Sequence, residues 1–274
     1  MYKLLQTWLR CSLVVLIALV CARALSADDT PALTKEQIKQ FLLTAKIVGK
    51  HDSKKGVTNS ARLTLSDGTV THDASFQAID EHQLTKKFAD GHSELRFVDS
   101  YKYNIAAYIL AELVGFDDMM PVYVERKYEG KTGSLSWWLS VKMDEADRVT
   151  KKIEPPDKYA WNDQMYKVRV FDSLVYDNDP NLTNVLISAD WKIWRIDFTR
   201  AFRLYHNVRD PADLVRCPRP MFERLKALNA DEFTAKTKAY LTKDEIQAVM
   251  ARRDFIVQFF QKEIGKKGES EVLY

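Results

Sequence analysis

The sequence predicts an α+β fold in two lobes, on three observations. Residues 47–48, 61–65 and 74–79 are short apolar or alternating runs set among turn-rich segments, the pattern of antiparallel strands joined by hairpins. Residues 100–114 carry Ile105, Ala106, Tyr108, Ile109, Leu110 and Leu113 on one helical face and stop at Gly115. Beyond a charged stretch with Pro155-Pro156 at 142–158, the chain reads as helices around a single strand pair. A small antiparallel sheet with one helix, followed by a mostly helical half, is an α+β two-lobe plan. It assigns residues 34–141 to the first lobe and 142–264 to the second, with 265–274 as a frayed tail. The cleft between lobes is the expected ligand site.

In order, Thr34 with Gln37 resembles a capping box opening a helix to about Ala45. Three strands follow, then the helix at 100–114. Pro121 then opens a hairpin in which Val122-Tyr123-Val124 alternates, Glu129-Gly130 turns and residues 134–139 return. Residues 159–176 are helical, with Met165, Val168, Phe171, Leu174 and Val175 as the buried stripe. Helices at 220–228, 231–240 and 242–264 close the chain, the last with Thr242 and Glu245 as a capping box.

Residues 1–27 stand apart from the fold. Lys3 and Arg10 form a positive segment, residues 11–21 an apolar run, and Ala22-Arg23-Ala24 or Leu25-Ser26-Ala27 a small-residue cleavage site. Together they read as an export signal that makes the protein periplasmic or secreted, the alternative being an uncleaved anchor and membrane attachment through it. Lys3, Arg10 and Arg23 fall in this segment, which has no acid, so the 41 basic residues of the chain become 38 against 38 acidic ones. That balance, with charges interleaved, excludes a nucleic-acid binder. Cys11 and Cys21 also fall there. Only Cys217 is left, so the remainder forms no intrachain disulfide, and Cys217 reads as a small buried residue.

The chemistry-bearing stretch is residues 176–202, YDNDPNLTNVLISADWKIWRIDFTRAF. Asp179 is followed five residues on by Asn184, and thirteen further by Asp197 after an apolar strand pair. An acid, an amide and a second acid supply the hard oxygen ligands that hold Mg²⁺ against phosphate. Upstream, the loop Gly56-Val57-Thr58-Asn59-Ser60 can turn backbone N–H groups toward phosphate. Esterase elbows, Cys-x-x-Cys pairs and His-Glu-x-x-His motifs are absent from the sequence.

The run Asn178-Asp179-Pro180-Asn181-Leu182-Thr183-Asn184, with Ile196-Asp197-Phe198 after it, resembles the catalytic and metal-binding loops of the kinase branch containing the HipA-like and phosphoinositide kinases. The resemblance extends over residues 41–202 and implies a two-lobed protein-kinase-like fold. It implies ATP and Mg²⁺ as cofactors and an unidentified protein or small-molecule acceptor. Asp179 then orients or deprotonates the acceptor hydroxyl, and Asn184 and Asp197 ligate Mg²⁺. Gly56, Thr58, Asn59 and Ser60 form the phosphate loop. Gln77 stands where the family has its ATP-binding lysine and Asn104 where it has the partner glutamate, a neutral amide pair in place of an ion pair, with Lys102 or Arg96 as candidate substitutes. This departure favours a second reading, a pseudokinase that binds nucleotide or protein without transfer; nucleotidyl transfer is a third. Asn181-Leu182-Thr183 is also a glycosylation sequon; a glycan there would block the cleft, so an active enzyme implies a host without this modification, most simply a bacterium.

Overall fold

The structure, a computed structural model, describes residues 33–52, 60–179 and 181–274; the leader at 1–27 lies outside them. Helix α1 (Lys35–Thr44) leads into strands β1 (Lys46–Asp52), β2 (Ser60–Ser66) and β3 (Thr71–Gln77). The alternation in β2 and β3 turns Leu63, Leu65, Ala74 and Phe76 inward. Helix α2 (Tyr101–Val114) begins at Ser100, whose hydroxyl accepts from Lys102 N, and ends at Gly115 in the left-handed conformation (φ 76°). Strands β6 (Tyr123–Tyr128) and β7 (Lys131–Trp137) complete a five-stranded antiparallel sheet in the order β1-β2-β3-β7-β6. Gly133 is required where β7 meets β3, because a Cβ there would collide with the Gln77 carbonyl and the Phe76 ring.

A hairpin that the sequence reading missed lies between β3 and α2. Strands β4 (Asp80–Lys87) and β5 (Ser93–Ser100) pair with each other alone. Most of β4 is exposed, Leu84 among it, so the segment carries no one-sided apolar alternation. The observed order is three strands, a hairpin, a helix and two strands.

The second half departs from expectation twice. Residues 142–158, where a lobe boundary or flexible connection is expected, hold strand β8 (Met143–Asp144) and helix α3 (Glu145–Thr150), capped by the Asp144 carboxylate on Asp147 N. Strand β8 joins β9 (Val185–Ile187) and β10 (Ile193–Arg195) in a three-stranded sheet, order β10-β9-β8. Helix α4 (Lys158–Val175) buries Val168, Phe171, Leu174 and Val175 as the periodicity predicts. Helices α5 (Arg219–Ala227), α6 (Ala230–Thr237) and α7 (Lys243–Lys267) follow, α7 with the reciprocal capping box of Thr242 and Glu245.

The expected fraying of 265–274 is overturned. Helix α8 (Glu269–Val272) turns the chain back, Cys217 N donates to Val272 O at 3.0 Å and Arg219 N to Tyr274 O at 2.8 Å. Val272 and Leu273 are buried there; the polar run before them hid two apolar residues with a docking site. Cys217 is fully buried beneath this bridge, and burial pushes its thiol up to about 12. It is therefore expected to resist thiol reagents at pH 8 and to react once denaturant opens the fold. Mapping the labelled peptide checks this, and rapid native labelling would contradict it.

The mixed α+β class holds, with small antiparallel sheets and helices around one continuous apolar cluster running from Leu42 and Leu63 to Phe171, Phe198 and Phe260. No helix among the described residues is long and apolar enough to cross a membrane.

Candidate functional site

The strand pair β9–β10 carries the site. Ladder pairing sets Arg195 opposite Val185, and Ile196 N donates to Asn184 O at 3.0 Å, so Asn184 and Asp197 emerge at the same end of the ribbon. Asn184 lies in a 3-10 turn, Leu182–Asn184, capped by the Asn181 side chain on Thr183 N. The hydrogen bonds of Asn184 to other described residues use its backbone, leaving its amide oxygen available. Asp197 adopts φ 60°, a left-handed conformation more accessible to Asp than to most residues and one that collects at functional sites.

Three of the residues singled out in the sequence form a chain of hydrogen bonds. Asn104, fully buried on α2, donates through Nδ2 to Gln77 Oε1 at 2.7 Å and accepts from Phe198 N at 2.7 Å. Gln77, the last residue of β3, reaches Asp197 Oδ1 through Nε2 at 3.5 Å. Helix, sheet and post-ribbon acid are thus tied by amides alone. The candidate cationic substitute Lys102 is committed elsewhere, to Asp80 at 2.8 Å. Thr199 Oγ1 also donates to Asp197, at 3.1 Å. Burial raises the Asp197 carboxyl above its ordinary range; Thr199 and Gln77 offset part of this and the Asp99 charge adds to it.

Asp179 sits in the loop after α4, its N–H held by Asp177 Oδ1 at 3.0 Å, and its carboxylate pairs with no described residue. The loop is organised by Arg195, which is 1 % exposed. Arg195 ion-pairs with Asp177, contacts Asp172 of α4 at 3.2 Å, and donates to the carbonyls of Asn184 at 3.4 Å and Ile196 at 2.5 Å. One guanidinium therefore joins the Asp179 loop to the Asn184–Asp197 ribbon. The two carboxylates hold Arg195 above its ordinary pKa, while burial pushes Asp172 and Asp177 up against its pull. The sequence reading passed over Arg195 and Asp172. The signal for Arg195 was a charge at an inward position between Ile193 and Ile196.

Gly56, Thr58 and Asn59 fall outside the described residues. Ser60 opens β2 and lines a cavity of about 310 Å³ with Lys50, His51, Phe76, Tyr128 and Lys131. A cavity of about 270 Å³ abuts the Asp179 loop, lined by Asp172, Asp177, Asn181, Arg195, Arg209 and Asp213 among others. Asp197 and Gln77 line neither. Trp137 stacks on His72 at 3.5 Å and packs against the core.

Among the described residues no three His, Cys, Asp or Glu side chains are grouped as a metal site. The donor set instead suits a cation that takes one or two carboxylates and completes its shell with water and phosphate oxygens, as Mg²⁺ does. Asp197 is a desolvated carboxylate whose hydrogen-bond partners are neutral. The residues fit such an ion.

No family model matches the chain, and no curated protein matches it. Among solved structures it is similar to the crystal structure of a Helicobacter pylori proinflammatory kinase, CtkA, at 11% identity and a TM-score of 0.46, over 82% of this chain and 98% of that one.

Proposed function

We propose that the protein is a two-lobed, kinase-like phosphotransferase of the branch that the loop motifs resemble, using ATP and Mg²⁺ on an unidentified acceptor. The observation that carries this reading is the hydrogen-bonded series Asn104–Gln77–Asp197, which links the helix, the third strand and the acid after the ribbon in the arrangement the resemblance implies. In this reading Asn184 and Asp197 hold the metal through one neutral and one charged oxygen. Asp179 accepts a hydrogen bond from the acceptor hydroxyl and takes its proton. Gln77 offers its amide to a phosphate oxygen, contributing orientation without charge. When bound, Mg²⁺ and nucleotide supply charge neutralisation and the transferable phosphoryl group. Export through residues 1–27 belongs to the same proposal and sets the donor problem, since ATP is scarce outside the cytoplasm.

The engagement of Gln77 by both Asn104 and Asp197 favours a second reading, a pseudokinase, because a neutral and occupied clamp holds phosphate weakly. Thermal shift with ATP, with and without Mg²⁺, separates the readings when run beside ADP release. The wild type at a hundredfold excess over Kd gains about 2.7 kcal/mol, a rise in Tm of roughly 5–10 °C for this size, and Asp197→Asn loses the Mg²⁺-dependent part. No Mg²⁺-dependent shift in the wild type ends the nucleotide reading. A full shift without ADP release supports the pseudokinase.

A further inference from the structure

The β4–β5 hairpin leaves most of β4 in solvent and has no part in the proposed mechanism. Strand β5 is nevertheless tied to the segment that follows Asp197. Ser100 N donates to Thr199 O at 2.9 Å, and Thr199 Oγ1 donates to Asp197 Oδ1 at 3.1 Å. Further along that segment, Arg203 donates through Nη1 to Arg96 O at 2.8 Å and through Nη2 to Leu95 O at 2.9 Å. Arg96 adopts φ 52°, a left-handed conformation that a long side chain rarely takes, and it is the residue whose carbonyl meets Arg203.

Glu94 of β5 completes the contact. Its Oε2 ion-pairs with Arg200, and its Oε1 lies 2.9 Å from Arg203 Nη1. Glu94, Arg200 and Arg203 are exposed by only 14, 16 and 11 %, so water and salt screen the pairs less than at an open surface. One carboxylate of the hairpin thus holds two arginines of the segment after Asp197. The same segment also meets the Asp179 loop, where Asn178 N donates to Arg200 O at 3.4 Å, and the end of α4, where Phe202 N donates to Val175 O at 2.7 Å. Residues 199–203 are therefore where the hairpin, the loop of the proposed base and the metal acid come together.

We propose that Glu94 is a positioning residue for Asp197. Through Arg200 and Arg203 it fixes residues 199–203, and through Thr199 the orientation of the Asp197 carboxylate, so that the hairpin sets the affinity for metal-bound nucleotide. This role rests on the reading of Asp197 as a metal ligand and extends it to an element outside the loop motifs. A carboxylate held in place before the metal arrives spares binding the cost of ordering it, and the groups that orient a metal ligand tune the affinity of the site. Preorganisation counts for more here because Gln77 and Asn104 bring no charge to the phosphates, which leaves their neutralisation to the metal.

The test titrates the Mn²⁺–ATP complex into the full chain by calorimetry, at a temperature where circular dichroism shows each variant folded. Glu94→Gln is expected to weaken binding about tenfold, the low end for partners that orient a metal ligand. Arg203→Gln is expected to do the same, and the double variant to bind no worse than the weaker single, because the two act as one unit. Arg126→Met, which frees the Leu42 and Ala45 carbonyls at the end of α1, is expected to lose stability while keeping the affinity within about twofold. Hydrogen exchange in the wild type needs no variant: Mg²⁺ with ATP is expected to slow the amides of residues 93–100 along with those of 199–203, since coupling between two sites is reciprocal. If Glu94→Gln lowers the Tm but binds Mn²⁺–ATP as the wild type does, Glu94 only stabilises the hairpin and the inference fails. Losses that add in the double variant remove Arg203 as the link and overturn it too. Should the variants not fold, the exchange measurement decides, and unchanged exchange across 93–100 counts against the role. If the wild type binds no Mn²⁺–ATP, the nucleotide reading falls and this role falls with it.

Discussion

Arg195→Met is expected to cost about 3–5 kcal/mol of stability, the range for breaking a buried ion pair from one side. The residue is 1 % exposed and meets Asp172, Asp177 and two carbonyls, so its loss strands the buried Asp177 carboxylate and the partly buried Asp172 one and releases both strands of the site. For a chain of this length the Tm falls by roughly 10 °C, and the urea midpoint falls with it. The deficit should depend on pH. Asp172 and Asp177 have folded pKa values above their unfolded value of 3.8. Between that value and their folded pKa the native state keeps protons that the unfolded chain has lost, so stability falls as pH rises. Removing the guanidinium raises those carboxyls further and widens the window. The penalty in Arg195→Met is therefore expected to be larger at pH 7.5 than at pH 5. Adding Asp177→Leu should recover part of the loss at pH 7.5, because the stranded charge goes with it. A loss below 1 kcal/mol, or one independent of pH, would show that the pair is solvated rather than structural.

Asn104→Leu is the second large effect. Leu keeps the branched shape of Asn, though it is larger, and supplies no acceptor to Phe198 N and no donor to Gln77 Oε1. At about 1–3 kcal/mol for each buried group left without a partner, discounted because Gln77 can turn toward solvent, the expected loss is about 2–4 kcal/mol. The functional consequence is separable. Gln77 loses the contact that fixes its amide beside Asp197, so the Mg²⁺-dependent ATP shift should drop even at temperatures where the variant remains folded. Asn104→Asp keeps the acceptor for Phe198 and is expected to retain more of the stability. Equal losses in the two variants would mean that the amide donor, rather than the acceptor, dominates.

Much of the frame was legible because it is local. Gly115 at a left-handed helix end, Ser100 and Thr242 at N-caps, the inward alternation of β2 and β3 and the stripe on α4 each follow from a few adjacent residues. Within the site, the residue types at Gln77 and Asn104 suggested a neutral pair, and the two side chains do hydrogen-bond. Features whose energetic partner is distant in the chain were not legible. The β4–β5 hairpin is wet on most of its surface and showed no periodicity. Residues 272–274 looked like a tail because their partner, Cys217, lies more than fifty residues earlier.

The sequence by itself determined the α+β class, the elements with a one-sided apolar pattern and the spacing of Asp179, Asn184 and Asp197, since propensity, capping and side-chain periodicity act over a few residues. Only the tertiary structure decided that Arg195 braces the Asp179 loop against the ribbon, that Lys102 is spent on Asp80, and that Asn104 and Gln77 meet at Asp197. Those contacts depend on charges buried together by packing between elements far apart in the chain, and no local pattern encodes which buried charge will meet which.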